Sequence, residues 1–224
     1  MKIIAAESIG TTFDTALDFV LKAGAPCTDN LENPCRGEVY MGISRVVNPE
    51  WPGWFVLDRG ETRAVRSDGI LEFDAATAML GLVRSFYRES FWKAVFADTM
   101  PAPLAVVMFD SAVAHGRNRA FRFLQEAMNC LFGTGRLEVD GIFRRDSRQA
   151  LETILKGHHW YLKVLVGEVL RVRQAHCDAI SCGQREVMAV CRARRRALKC
   201  LVERRLRESV YSVACGESGL GLSC

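Results

Sequence analysis

Two stretches of the chain concentrate side chains able to do chemistry. Near the C-terminus, His176, Cys177, Cys182, Cys191 and Cys200 present metal-capable atoms. The gaps between the cysteines are five, nine and nine residues, unlike the paired two-to-four-residue knuckles of structural zinc sites, so no metal site is expected. The same region carries CRARRRALKCLVERRLR, with eight Arg and Lys against the single Glu203. On a helix, Val187, Val190, Cys191, Leu198, Leu201, Val202, Leu206 and Val210 form a partial apolar stripe. Docking that stripe would turn Arg192, Arg194, Arg195, Arg196, Lys199, Arg204 and Arg205 outward, toward an anionic polymer or acidic partner or simply toward water. Earlier in the chain, Cys27 and Cys35 stand eight residues apart, as a loop bridge or as two free thiols, and His115 stands in AVAHGR at a helix end. Phosphate loops, nucleophile elbows and His-Glu-x-x-His motifs are missing, and no cofactor is expected.

The elements that position these groups follow from periodicity. Phe13, Leu17, Val20 and Leu21 recur at helical spacing behind Thr11 or Thr12 as N-cap, predicting a helix to about Lys22 that Gly24 and Pro26 stop. APCTDNLENPCRG (25–37) reads as an irregular loop or short hairpin, and NPEWPGWFVLDRG (48–60) as a surface insertion. Helical patterning returns over 73–96, 104–114, 119–131, 147–173 and 184–210, so the fold class is mainly α. PLAVVMFDSAVA carries almost no charge except Asp110, which predicts a helix buried on most sides. Asp110 and Gln125 read as capping or core-bonding groups, and Asp140-Gly141 as a tight turn feeding a helix near Ser147, capped by Asp146 or Ser147.

With 224 residues, 49% hydrophobic and 25% charged, the chain has ordinary globular composition, and a net charge of +4 is mild. Its longest apolar runs fall far short of the roughly 20 residues of a membrane span. MKIIAAESIG is too short in its apolar part for a secretory signal, so synthesis in the cytoplasm and, with nine cysteines, reduced thiols are expected.

Three segments, in order, resemble glycoside hydrolase family 108, a lysozyme-like muramidase family with an attached peptidoglycan-binding region. VMFDSAVAHGRNRAFRFLQEAM is similar to the family's Phe-Asp-Ala-Ala-Val-Asn-x-Gly run and Leu-Gln helix through Phe109, Asp110, Ala112, Val113, Gly116, Ala120, Leu124 and Gln125. YRESFW before MPAPLA resembles its Tyr-Arg-x-x-Tyr-Trp and Leu-Pro elements through Tyr87, Arg88, Trp92 and Pro101. VDGIFRRDSRQAL resembles a third motif through Val139, Asp140, Gly141, Ala150 and Leu151. The resemblance spans roughly Phe13 to Leu151 and implies a lysozyme-like helical domain over 1–173. A cleft-forming part would cover 13–100 and a peptidoglycan-binding-like part 101–173, followed by a Cys-rich basic helical extension over 174–224.

The family signature also implies where a catalytic acid belongs: Glu-Gly-Gly-Tyr at the end of the first helix, then Asp-Pro-Gly-Gly-x-Thr about nine residues on. Laid without a gap, the Glu position falls on Gly24 and the Asp-Pro pair on Asn33-Pro34. A slipped register puts Ala23 or Lys22 at the Glu position instead. Glycosidic cleavage takes a carboxylic acid to protonate the leaving oxygen and a second carboxylate to activate water or attack the sugar, and neither replacement supplies one. Of the nearby carboxylates, Asp29, Glu32 and Glu38, Glu38 is the best candidate for a relocated acid, and Asp29, Glu32, Tyr40 and His115 are candidate substrate contacts.

Three functions therefore stand open. The first is a catalytically impaired, glycan-binding protein associated with peptidoglycan. The second is an active muramidase using Glu38. The third is an interaction module working through the basic C-terminal helix. On the first two, the site of action is the cell wall or periplasm, reached by a route other than a signal peptide.

Overall fold

The computed structural model describes residues 11–23, 38–59, 75–133, 136–156, 160–181 and 185–216. Its elements are α1 (Thr12–Ala23), β1 (Val39–Tyr40), β2 (Ile43–Ser44), α2 (Gly53–Asp58), α3 (Ala75–Tyr87), α4 (Ala102–His115), α5 (Arg117–Phe132), α6 (Arg145–Lys156), α7 (Trp160–Ile180) and α8 (Arg185–Gly216). The mainly α class expected from periodicity is what the chain adopts. Contacts divide it into two compact units, residues 1–94 with 113–115, and residues 95–112 with 116–224.

In the first unit, Thr11 starts α1. Its side-chain oxygen accepts from the Asp14 amide at 3.3 Å, while its own N–H donates to the Asp14 carboxylate at 3.1 Å, a reciprocal capping box. Phe13, Ala16, Leu17 and Val20 form the buried face of α1. The two strands pair antiparallel, Val39 with Ser44 and Tyr40 with Ile43. Met41 (φ 47°) and Gly42 (φ 83°) make the turn, both left-handed as a two-residue hairpin of right-handed twist requires.

Tyr87 pins this turn by donating its hydroxyl to the Met41 carbonyl at 2.9 Å. Directly after Tyr87 the backbone widens into a π-helical turn over Arg88–Trp92. That turn brings residues five apart onto one side, so Tyr87 and Trp92 are both buried where an α-helix would splay them. Trp92 meets the edge of Phe13 at 5.2 Å. The segment 48–60, expected as a surface insertion, corrects that reading. Trp51 and Trp54 are buried, their rings edge to face at 4.9 Å, and the Trp54 indole N–H donates to the Asn48 carbonyl at 2.7 Å. Pro52 and Gly53 mark the entry to a helical turn here rather than an excursion, and a Cβ on Gly53 would stand 2.2 Å from the Trp51 ring.

In the second unit, α4 is the most buried element. Every residue from Leu104 to Ala112 is buried, and Val113 is half-buried. α5 lays Ala120, Phe121, Phe123, Leu124, Ala127 and Met128 inward and ends at Gly133, whose φ of 69° gives the left-handed cap. The periodic stretch 147–173 is two helices instead of one, because α6 stops at Lys156 just before Gly157 and α7 starts at Trp160. α7 continues to Ile180, so residue 173, where the sequence suggests a boundary, lies inside a helix.

The turn at Asp140-Gly141 forms as expected, with Gly141 at φ 80°. The helix it feeds begins two residues before Ser147, at Arg145. Ser147 is no cap. Its hydroxyl is buried and accepts from Gln125 Nε2 at 3.3 Å.

Candidate functional site

The acid candidates come first. Gly24, Asp29, Glu32 and Asn33, with Cys27 and Cys35, lie outside the described residues. Glu38 is described, at the foot of β1, and its Oε2 accepts from Arg45 Nη1 at 2.6 Å. The same guanidinium reaches Asp58 on the end of α2, Nη1 donating to Oδ1 at 2.8 Å and Nη2 to Oδ2. Arg45 holds the Asp58 carboxyl below its ordinary range by that hydrogen bond. Glu38 is thus one arm of a surface Glu-Arg-Asp clasp across the hairpin and α2. An acid for glycosidic cleavage needs a free approach to the leaving oxygen, and this carboxylate already faces a guanidinium.

Tyr40 is half-buried and stacks on Trp51, ring centres 6.0 Å apart. Trp51 in turn lines a cavity of about 480 Å³ between the 47–52 segment and the outer face of α3. That volume lies within the range of small-ligand sites. Trp51, Phe86, Leu82 and the two prolines Pro49 and Pro52 give it apolar walls, while Asn48, Ser85, Ser90, Glu50 and Glu89 supply polar groups. Glu89 is paired with Lys93 at 2.6 Å, whereas Glu50 is exposed. Apolar walls with scattered hydroxyl, amide and carboxylate groups suit a ligand with both apolar faces and hydroxyl edges. Among the described sequence candidates, Tyr40 comes near this cavity, through its stacking on Trp51. The signal for the rest was NPEWPGW, whose aromatic and proline content marked it as unusual without showing that it folds inward.

His115 ends α4 and is buried, which matches packing at a helix end rather than reach toward a sugar. On α8, Arg192, Arg195, Arg196, Lys199 and Arg204 are exposed as expected, and Arg205 is half-buried. Arg194 corrects the outward reading. It is buried, and donates from Nη2 and Nε to Asp110 Oδ1 at 2.6 and 3.1 Å. It turns inward because it falls on the apolar stripe itself, three residues after Cys191 and four before Leu198. From α7, Arg173 Nη1 donates to Asp110 Oδ2 at 2.5 Å and to the Ser111 hydroxyl at 3.3 Å. Burial alone would raise the Asp110 carboxyl, yet the two guanidiniums outweigh it and hold it below its ordinary value.

The resemblance residues are similarly structural. Gln125 Nε2 donates to Asp140 Oδ1 and the Ile142 carbonyl, both at 3.1 Å, while its Oε1 accepts from the Gly141 amide at 2.9 Å. Asp140 also accepts from the Ile142 amide at 2.8 Å, and that bond leads the causes that lower its carboxyl to about 2.

Residues 18–116, a little under half the chain, match the family model of glycosyl hydrolase 108. Over that stretch the chain is similar to the glycosyl hydrolase 108 family. The stretch contains the hairpin, the Glu38-Arg45-Asp58 clasp, the Trp51 cavity and all of α4. A solved structure described as that of Brucella abortus SagA is 21% identical, covering 84% of this chain and 95% of that one, with a TM-score of 0.46. No curated protein matches the chain. The matched stretch also contains Gly24 and Asn33, on which the ungapped resemblance places its carboxylates. Among the described residues, no group of three or more His, Cys, Asp and Glu is placed to hold a metal ion, and no helix is long and apolar enough to cross a membrane.

Proposed function

We propose that the chain is a peptidoglycan-associated protein, impaired as a muramidase and retained as a glycan binder, acting at the cell wall or in the periplasm. The observation that carries this reading is the glycosyl hydrolase 108 match over 18–116, and the ungapped register of the resemblance, which sets Gly24 and Asn33 at the expected carboxylates, supports it. A glycine has no proton to give, and an asparagine has the shape of a carboxylate without its basicity. The engagement of Glu38 by Arg45 weighs against a relocated acid at that residue. The cavity beside Trp51 and Phe86 supports retained binding, because apolar walls with hydroxyl and carboxylate residues at their edge suit a sugar ring.

Clearing of a purified cell-wall suspension tests the catalytic half. Wild type is expected near background, and Gly24→Glu with Asn33→Asp is expected to raise the rate without restoring a full enzyme, since the acid's surroundings must also tune it. Robust wild-type lysis that survives Glu38→Gln, Glu32→Gln and Asp29→Asn would sink the reading, and lysis abolished by Glu38→Gln would favour the relocated acid. Co-sedimentation with the same walls tests the binding half. Ser85→Trp fills the cavity from an exposed position on α3 and is expected to weaken co-sedimentation at unchanged Tm.

The exposed row Arg192, Arg195, Arg196, Lys199 and Arg204 favours a second reading, contact with an anionic polymer through α8. Such binding would weaken steeply with salt, and a salt-independent interaction would count against it.

A further inference from the structure

α7 and α8 pack antiparallel, and their register can be read from the groups that meet. Arg173 and Arg194 converge on the one carboxylate of Asp110. Toward the C-terminus of α7, Asp178 lies 3.7 Å from Arg192. In the other direction, residues 163–170 of α7 and 195–206 of α8 line the two sides of one groove. As α7 numbers rise, α8 numbers fall, and one turn beyond the Arg173/Arg194 level this register sets Cys177 opposite Cys191.

The side chains agree with the register. Cys177 is buried, Cys191 is half-buried, both are thiols, and Cys191 is close enough to be among the groups that raise the Cys177 thiol. Both sit on the seam, Cys177 four residues after Arg173 and Cys191 three before Arg194. Cys130 and Cys200 are thiols too, and both are exposed.

We propose that Cys177 and Cys191 are a disulfide site, oxidised to an interhelical bridge when the folded chain meets a low-molecular-weight disulfide. Cys191, the more exposed of the two, meets the reagent. Its thiolate attacks one sulfur of the small disulfide, the S–S bond breaks, and one small thiol leaves, giving a mixed disulfide on Cys191. Cys177 then loses its proton to solvent and attacks the Cys191 sulfur, expelling the second small thiol. Two protein thiols and one small disulfide become one protein disulfide and two small thiols. Burial, together with the neighbouring Cys191 sulfur, pushes the Cys177 thiol up to about 12, so the second step is the slow one. The bridge encloses residues 178–190 and ties the start of α8, beside its exposed arginines, to α7. It does not depend on the glycan reading, but it suits a chain made where thiols stay reduced and used where they do not.

The test is incubation of the full-length chain with oxidised glutathione, followed by non-reducing peptide mapping and thermal unfolding. The expected product links the Cys177 peptide to the Cys191 peptide, is undone by dithiothreitol, and raises Tm by about 5–10 °C. Cys191→Ala replaces a half-buried residue, so it keeps the fold and is expected to abolish that redox-dependent shift, whereas Cys130→Ala and Cys200→Ala leave it intact. A product that stops as glutathione on Cys191, a bridge from either residue to another cysteine, or alkylation of both thiols after full oxidation elsewhere would each overturn the assignment.

Discussion

Truncation of Asp110 to Ala would remove the carboxylate that Arg173 and Arg194 share and leave both guanidiniums inside the second unit. The three side chains are 1%, 9% and 6% exposed, so water cannot take over the lost bonds without opening the α4-α7-α8 packing. Breaking a buried ion pair by deleting one partner costs about 3–5 kcal/mol, and here one deletion takes the carboxylate from two buried cations, which places the expected loss at the upper end. For a chain of this size that is a fall in Tm of about 10–15 °C. Asp110→Asn, which keeps one carbonyl acceptor, is expected to lose less. Removing the whole network through Asp110→Leu, Arg173→Met and Arg194→Leu is expected to recover to within about 2 kcal/mol of wild type, because well-packed apolar groups replace a buried charge cluster at little net cost. Calorimetry or thermal circular dichroism on the four proteins decides the matter. An Asp110→Ala variant melting within about 2 °C of wild type would refute the reasoning, as would a triple variant no better than the single one. The pH dependence carries the same sign. The folded carboxyl lies below its ordinary value of 3.8, so its contribution is complete above that value and is lost as pH falls through the lower folded one.

Gly141→Ala places a Cβ 2.5 Å from the Asn118 carbonyl oxygen at a φ of 80°, and is expected to cost about 1–3 kcal/mol by urea unfolding, with no comparable loss for Gly81→Ala, whose surroundings are open. Asp140 is expected to titrate at about 2 by carboxyl-resolved NMR, its contribution present above the ordinary 3.8 and lost between there and about 2; a midpoint near 4 would mean the Ile142 and Gln125 bonds do not hold in solution. Tyr87→Phe removes the hydroxyl that bonds Met41 and is expected to cost about 1 kcal/mol, with faster amide exchange at the 39–44 hairpin than elsewhere.

Local rules sufficed for much of this protein. Helical spacing and caps placed α1, α4 and α5 to within a few residues, because Thr11, Gly116 and Gly133 act on their own neighbours. The near absence of charge in α4 announced its burial, and the Tyr87-Arg88 and Phe109-Asp110 motifs lie within the stretch that matches the glycosyl hydrolase 108 model. Tertiary structure decided what those motifs are for. Asp110 is alone of its charge in an apolar helix, and a buried acid demands cations from elsewhere; Arg173 and Arg194 lie on the apolar stripes of α7 and α8, but only packing brings residues 63 and 84 positions away to one carboxylate. Composition counted Arg194 with its exposed neighbours, since a run of arginines carries no sign of which one faces inward until a partner helix defines the seam. Likewise NPEWPGW looked like an insertion because Pro and Gly set its backbone, whereas the burial of Trp51 and Trp54 depends on α3 and the hairpin arriving from other parts of the chain. The cavity that Trp51 borders, and the meeting of Cys177 with Cys191, exist only between elements, where spacing along the chain has no reach.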